Sequence, residues 1–350
     1  MMRRATTFLG IILLTLLLLT GTGGCSRGDT GTSPSTSQPM TLTYAFFAPE
    51  ESFPGAQMDW WATEIEKRTN GKVVVRTIPG GELFTAENMY DGVRSGVADI
   101  GLSFVTYEAS NFPLLTINDL PGIGYANATQ ASKAFFEVVW ANQDIEELKD
   151  FKIITAFCTE PSYIQTMTKH TSLESLKGVP IRTPGGPKIL EAMGAVGVNM
   201  PQSKIEQALD NFLIEGIVTS REVLKDFGYA KKIKFVLNKP LGQVSALAVM
   251  RKATFDTLPD DIKTVIDELA PLAAAYAGAA LDKAVNESME WATESQGVTV
   301  VELSADESRK MDEAIQTVAE NWLADLTAKG YAANEFFRQL QQAASQAASK

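Results

Sequence analysis

One arginine dominates the chemistry this sequence can offer. Arg182 lies in Val179-Pro180-Ile181-Arg182-Thr183, a run whose β-branched residues predict a short strand, and Pro184-Gly185-Gly186-Pro187 follows at once. The glycines make a turn, Pro187 suits a first helical position, and Lys188 to Met193 reads as helix until Gly194 stops it. This order sets a guanidinium at a strand end, beside the positive end of a helix dipole where backbone N–H groups lack partners. A guanidinium fork grips both oxygens of a carboxylate, which an ammonium does not do. The plain alternative is a structural ion pair with an Asp or Glu of the chain itself, and this stretch alone leaves both open.

Other chemistries find few parts. The single histidine, His170, sits in a polar Lys169-His170-Thr171-Ser172 turn and is expected to be exposed. Cys158 ends the strand-like run Ile153-Ile154-Thr155-Ala156-Phe157-Cys158, where buried, inert thiols are common. A Cys158–His170 nucleophilic pair, or a pair of carboxylates, would make the chain a secreted hydrolase, and that is the weaker reading. No Cys or His cluster has metal-ligand spacing, and neither a GxGxxG stretch nor a P-loop occurs. No cofactor is expected, although calcium held by carboxylates would leave a fainter trace.

The start of the chain addresses the compartment. Arg3 and Arg4 precede an apolar run from Phe8 to Leu19, too short for a bilayer span but laid out as a secretory signal over residues 1–24. Thr20-Gly21-Thr22-Gly23-Gly24-Cys25 then looks like a bacterial lipobox, with Thr22 where leucine is usual, so Cys25 is the candidate for acylation. Residues 25–39 are nearly all Ser, Thr, Gly, Pro and Gln and suit a flexible tether. The expected product is a globular body anchored by lipid in the periplasm or on the outer face of the cytoplasmic membrane. Loss of Arg3 and Arg4 with the leader takes the formal charge from −11 to −13, which argues against nucleic acid as a partner. Once Cys25 is acylated, Cys158 has no cysteine to pair with. Stability must come from core burial, which a body of about 310 residues can supply across two lobes.

Along that body strands and helices alternate. Met40–Phe47, Lys72–Ile78 and Ala98–Phe104 read as strands separated by helices at Pro54–Thr69 and Ala86–Ser95. A second series begins at Phe151, with strands at Lys152–Phe157, Ile164–Thr168, Val179–Thr183, Gly197–Met200 and Ile214–Thr219 and a helix at Lys204–Asn211. Lys234–Leu237 and Ser245–Met250 return the chain to the first lobe, a helix runs from Asp260 through Leu281 toward Met289 and Trp291, and Thr299–Val301 adds a short strand. The pattern predicts an α/β protein of two lobes, each a mixed, mostly parallel sheet flanked by helices, with crossing strands and long C-terminal helices. The expected division is residues 41–155 plus about 240–285 for one lobe and 156–239 plus about 286–340 for the other. A ligand would bind where the carboxyl ends of the strands converge.

An ordered set of signatures resembles the DctP-type solute-binding proteins of tripartite ATP-independent periplasmic (TRAP) transporters over roughly residues 41–335. They are Trp61–Val75, Ile78-Pro79-Gly80-Gly81-Glu82-Leu83, Asp91–Ile100, Phe112-Pro113-Leu114 with Leu120-Pro121, Leu176–Arg182, Met193-Gly194-Ala195 before Met200-Pro201, Ala208-Leu209, Glu215-Gly216 and Thr257-Leu258-Pro259. The resemblance implies that Arg182 binds the carboxylate of a small organic acid, that the lobes close over it, and that the closed form docks on membrane subunits driven by an ion gradient. Some relatives carry a second arginine on the preceding strand, where this chain reads Thr159-Glu160-Pro161-Ser162-Tyr163-Ile164-Gln165, so a doubly clamped carboxylate is not expected. Glu160 and Tyr163 remain candidates there, with Glu160 either bonding the ligand, binding a cation or facing solvent. Phe47, Phe84, Phe104 and Tyr107 near strand ends are candidate walls or core residues, and Thr219 and Ser220 candidate polar contacts, with Arg221 either nearby or paired across the lobe. A receptor for an ABC importer shares this architecture and is the principal rival.

Overall fold

The computed structural model describes residues 38–186 and 188–348. The leader, Cys25, most of the tether and Pro187 lie outside the described residues. Eleven strands are β1 Met40–Phe46, β2 Val73–Ile78, β3 Ile100–Phe104, β4 Phe151–Cys158, β5 Tyr163–Thr166, β6 Pro180–Thr183, β7 Val196–Asn199, β8 Gly216–Thr219, β9 Phe235–Leu237, β10 Ser245–Arg251 and β11 Thr299–Val301. They form two sheets, ordered β2-β1-β3-β10-β4 and β11-β9-β5-β8-β6-β7.

The first sheet follows from its strand sequences. β1 pairs in parallel with β2 and β3, and the intervening helices supply the crossovers. β10 runs antiparallel between β3 and β4, and from Ser245 to Met250 every residue is buried, as a strand covered on both faces requires. Helix Phe53–Arg68 turns Met58, Trp61 and Ile65 onto this sheet at helical spacing, and Trp61 meets Tyr44 edge-on at 5.9 Å. In the second sheet β6 lies between β7 and β8, all three parallel, while β5 is antiparallel to β8 and β9.

Two chain crossings join the sheets, from β4 to β5 and from β9 to β10, and they run side by side. Thr159 N–H donates to Val244 O at 2.9 Å, Ser162 N–H to Gly242 O at 2.8 Å, and Leu241 N–H to Ser162 O at 2.9 Å. Gly242 is required here, because a Cβ would overlap the Asp119 carbonyl. Asp119 in turn accepts the Ser245 amide at 2.8 Å and its hydroxyl at 2.6 Å, fixing the start of β10.

Two assignments differ from the sequence reading, in the start of the second lobe and in the last helices. β4 stays in the first sheet to Cys158, which pairs with Ser245, so the second series begins at Tyr163 rather than Phe151 and the lobe boundary falls past residue 155. Helix Asp260–Ser295 runs 36 residues, with Ile262 to Val285 in the first lobe's core and Ala292 in the second's, in keeping with the expected division near residue 285. Residues 286–340 do not all join the second lobe. Helix Ala305–Ala328 places Met311 and Ile315 in the second lobe's core but Leu323 and Leu326 in the first's, and helix Ala333–Ala348 packs Phe336 and Leu340 beside Phe135 of helix Ala128–Ala141. An amphipathic stripe shows that a helix has a partner, and not which lobe provides it.

Candidate ligand-binding site

Arg182 is the third residue of β6, paired in register with Val198 of β7 and Ile217 of β8. Flanked on both sides, its side chain extends toward the first lobe and is 1% exposed. Nε donates to the Met200 carbonyl at 2.9 Å and Nη2 to the Tyr107 hydroxyl at 3.2 Å. Tyr107 follows β3, so the second bond spans the two lobes. Among the described residues no carboxylate lies within 4.0 Å of the guanidinium, and Nη1 donates to no protein group. Burial pushes its pKa down, while Tyr107 and Tyr229 oppose the shift; an arginine nonetheless keeps its charge. A buried cation with no counter-ion is costly unless an anion joins it.

The guanidinium opens on a small cavity of about 50 Å³ lined by both lobes. The first lobe contributes Phe47, Phe104 and Tyr107, whose rings meet edge to face: Phe47 to Tyr107 at 5.6 Å and 87°, Phe47 to Phe104 at 6.0 Å and 64°. Ser52 and Phe53 bring the uncapped start of helix Phe53–Arg68 to the same space, adding positive potential. Thr159 and Val244 come from the crossing strands, and Thr219, Glu222 and Phe227 from the second lobe. The turn after β6 passes close to the first lobe, since a Cβ on Gly185 would overlap Thr106 Oγ1. These positions cluster at the carboxyl ends of β1, β3, β6 and β8, where open α/β sheets bind ligands.

Of the residues expected at the site, Arg182, Phe47, Phe104, Tyr107 and Thr219 line this cavity and four others do not. Phe84 is buried against Gly92, with Ala45, Met89 and Ala98 around it, and supports Phe47 from behind. Glu160 is engaged by Arg221: its carboxylate accepts Nε at 2.9 Å, Nη2 at 2.7 Å and the Arg221 amide at 2.7 Å. Tyr163 lies under the same guanidinium, 4.1 Å from its ring centroid, and belongs to the second lobe's core. Ser220 is fully buried, away from the cavity lining, and its Oγ has no hydrogen-bond partner. The sequence reading missed Phe53, Glu222 and Phe227. Glu222 and Phe227 lie just beyond Arg221, in a segment whose short helix, Val223–Asp226, swings it back across the cavity.

His170 is buried rather than exposed, with Nδ1 2.6 Å from the Ser175 carbonyl and Nε2 2.9 Å from Glu215 Oε1. Cys158 lies in the first lobe's core, its Sγ accepting from Asn118 Nδ2 at 3.1 Å. Burial, then the nearby Asp119, push its thiol pKa well up, so it is no nucleophile, and the two residues do not meet. No three His, Cys, Asp or Glu side chains among the described residues are grouped to hold a metal ion.

A buried, unmatched guanidinium in an aromatic cleft between two α/β lobes on paired crossing strands defines a two-lobed solute-binding protein. The chain belongs to the bacterial extracellular solute-binding protein family 7, whose model matches residues 44–325. A TRAP periplasmic solute-binding protein from Desulfovibrio salexigens is 32% identical with a TM-score of 0.79, the match covering 88% of this chain and 96% of that one. A marine-metagenome TRAP solute-binding protein specific for aromatic acids, solved with 3-hydroxybenzoate, is 27% identical with a TM-score of 0.83, covering 89% and 99%. A solute-binding protein of Albidiferax ferrireducens is 25% identical over 268 residues, 74% of this chain and 78% of that protein. The chain is therefore an extracytoplasmic solute receptor of the TRAP class, a periplasmic type that hands its solute to a membrane permease.

Proposed function

We propose that this receptor captures a small organic acid by its carboxylate on Arg182, with the acid's apolar body against Phe47, Phe104 and Phe227. The observation that carries the reading is the buried guanidinium of Arg182, open to the cavity and without a carboxylate within 4.0 Å among the described residues. Charge-assisted bonds of this kind contribute about 1.5–3 kcal/mol each, enough to decide which solutes are retained. The aromatic-acid specificity of the marine-metagenome relative supports an acid with a ring. Because lining residues come from both lobes, bound solute favours their approach, and a closed receptor is what the permease meets. The protein catalyses nothing in this reading and needs no cofactor or calcium. We extend the proposal to the chain start: residues 1–24 are removed as a signal, and acylated Cys25 ties the body to the membrane through the 25–39 tether.

Thermal-shift screening of organic acids against the purified protein tests the capture. The best acids raise the melting temperature of the wild type and not of Arg182→Ala, and an acid that stabilises both equally overturns the assignment. Membrane fractionation tests the anchor: Cys25→Ala releases the protein to the soluble periplasm, and unchanged retention refutes acylation.

A further inference from the structure

Glu222 is the cavity's second unmatched group. It is 5% exposed, lines the same space as Arg182, and its Oε2 has no hydrogen-bond partner among the described residues. A buried carboxyl oxygen left without a partner costs free energy, and the residue that carries this one is part of the cavity lining. Its surroundings are acidic. Glu160 lies behind it, Asp226 stands exposed at the cavity rim, and Arg221, the nearby cation, is committed to Glu160 through a bidentate pair. Glu160 and Asp226 thus place negative potential on Glu222 that the Arg221 guanidinium offsets only in part. Burial, then Glu160 and Asp226, push the Glu222 carboxyl well above the usual carboxylate range.

Resting on the carboxylate capture by Arg182, we propose that Glu222 recognises an amine on the same solute, so that the receptor's ligand is a zwitterion with its carboxylate on Arg182 and its ammonium on Glu222. The ammonium takes the place of the missing counter-charge, and the Glu222 proton leaves to solvent as the ion pair forms. A neutral acid fills the aromatic part of the cavity and leaves Oε2 unmatched, which makes Glu222 the residue that separates amino acids from plain acids.

The test uses 3- and 4-(aminomethyl)benzoate against the corresponding hydroxymethyl- and methylbenzoates, measured by calorimetric titration and thermal shift on the wild type, Glu222→Gln and Arg182→Ala. One charge-assisted bond predicts that the better aminomethyl isomer binds at least about tenfold tighter than its methyl partner. In Glu222→Gln the ratio of amine to methyl affinity falls to about one, whatever happens to the affinity for methylbenzoate itself. Equal affinity of the amine and methyl probes, a hydroxymethyl probe that binds tightest, or a preference that survives Glu222→Gln overturns the proposal. It is equally overturned if the acid with the largest shift in a broad screen carries no amine. Failure of the parent reading looks different, because the acids then bind Arg182→Ala as well as the wild type.

Discussion

Replacing Arg182 with methionine should stabilise the empty receptor while destroying its affinity. The guanidinium is 1% exposed and has no carboxylate partner among the described residues, so its desolvation is not offset by an ion pair. Removing a buried ion in favour of an apolar side chain of similar length is neutral or stabilising by about 1–4 kcal/mol in comparable cases. Against this stand two lost hydrogen bonds, to the Met200 carbonyl and the Tyr107 hydroxyl. Both acceptors belong to half-buried residues beside an open cavity, where water can replace the guanidinium at little cost. The net expectation for Arg182→Met is a gain of about 1–3 kcal/mol, or roughly 2–4 °C in Tm for each kcal/mol.

Calorimetry of both proteins with and without ligand reads the two effects separately. At about a hundred times Kd the wild type gains about 2.7 kcal/mol from binding, and the variant, weakened by at least about tenfold, gains correspondingly less. An empty Arg182→Met protein that is less stable than the wild type would show that the guanidinium is a structural strut. Retention of the full ligand shift would show that the acid binds elsewhere. Either result refutes the reasoning.

Three further outcomes are expected. Arg221→Ala leaves the carboxylate of Glu160, which is 4% exposed, buried and alone, and should cost about 3–5 kcal/mol in denaturant unfolding, whereas Glu160→Gln costs less. Gly185→Ala should weaken ligand binding without lowering empty-state Tm, because its Cβ overlaps Thr106 Oγ1 across the lobes, and Gly185→Ala combined with Thr106→Gly should restore it; unchanged affinity in the single variant refutes the close approach. Burial holds Asp119, Glu108 and Glu147 at about 7, above their ordinary carboxyl values. The native state therefore binds more protons than the unfolded chain, and the stability this confers is complete below about pH 4 and lost as pH rises toward 7. Tm should fall between pH 5 and pH 8, and Asp119→Asn should flatten that slope.

What the sequence disclosed depends on how local each cause is. The strand holding Arg182 and the strand ends carrying Phe47, Phe104 and Tyr107 were readable because β propensity and turn residues are encoded within a few positions. The fates of Glu160, Tyr163 and Arg221 were not, because one bidentate ion pair over one ring, 61 positions apart in the chain, decides all three. Phe84 was assigned to the cleft because strand ends point there; what turns it inward is Gly92, whose missing side chain leaves room for the ring. His170 was expected in solvent because its neighbours are polar, yet Glu215 and the Ser175 carbonyl enclose it from other segments. Glu222 escaped because the signal at its position, an acid in a polar turn, is the same as that of a solvated residue.

The connections between the lobes explain why the ligand belongs at this place rather than within either sheet. Two crossing segments bonded to each other near Thr159 and Val244, together with the helices Asp260–Ser295 and Ala305–Ala328 that pack into both lobes, tie the lobes together. Thr159 and Val244 themselves line the cavity, so a solute in the proposed site would sit against this junction of the lobes. Arg182 is already tied to the first lobe through Tyr107, which leaves Nη1 as its uncommitted donor. In the proposed reading a carboxylate that takes Nη1 adds a contact where the lobes already touch, and an ammonium on Glu222 adds a second contact within the lobe that carries Arg182. A solute with both groups is thereby fixed on the second lobe, and its apolar body is what meets Phe47, Phe104 and Tyr107 of the first.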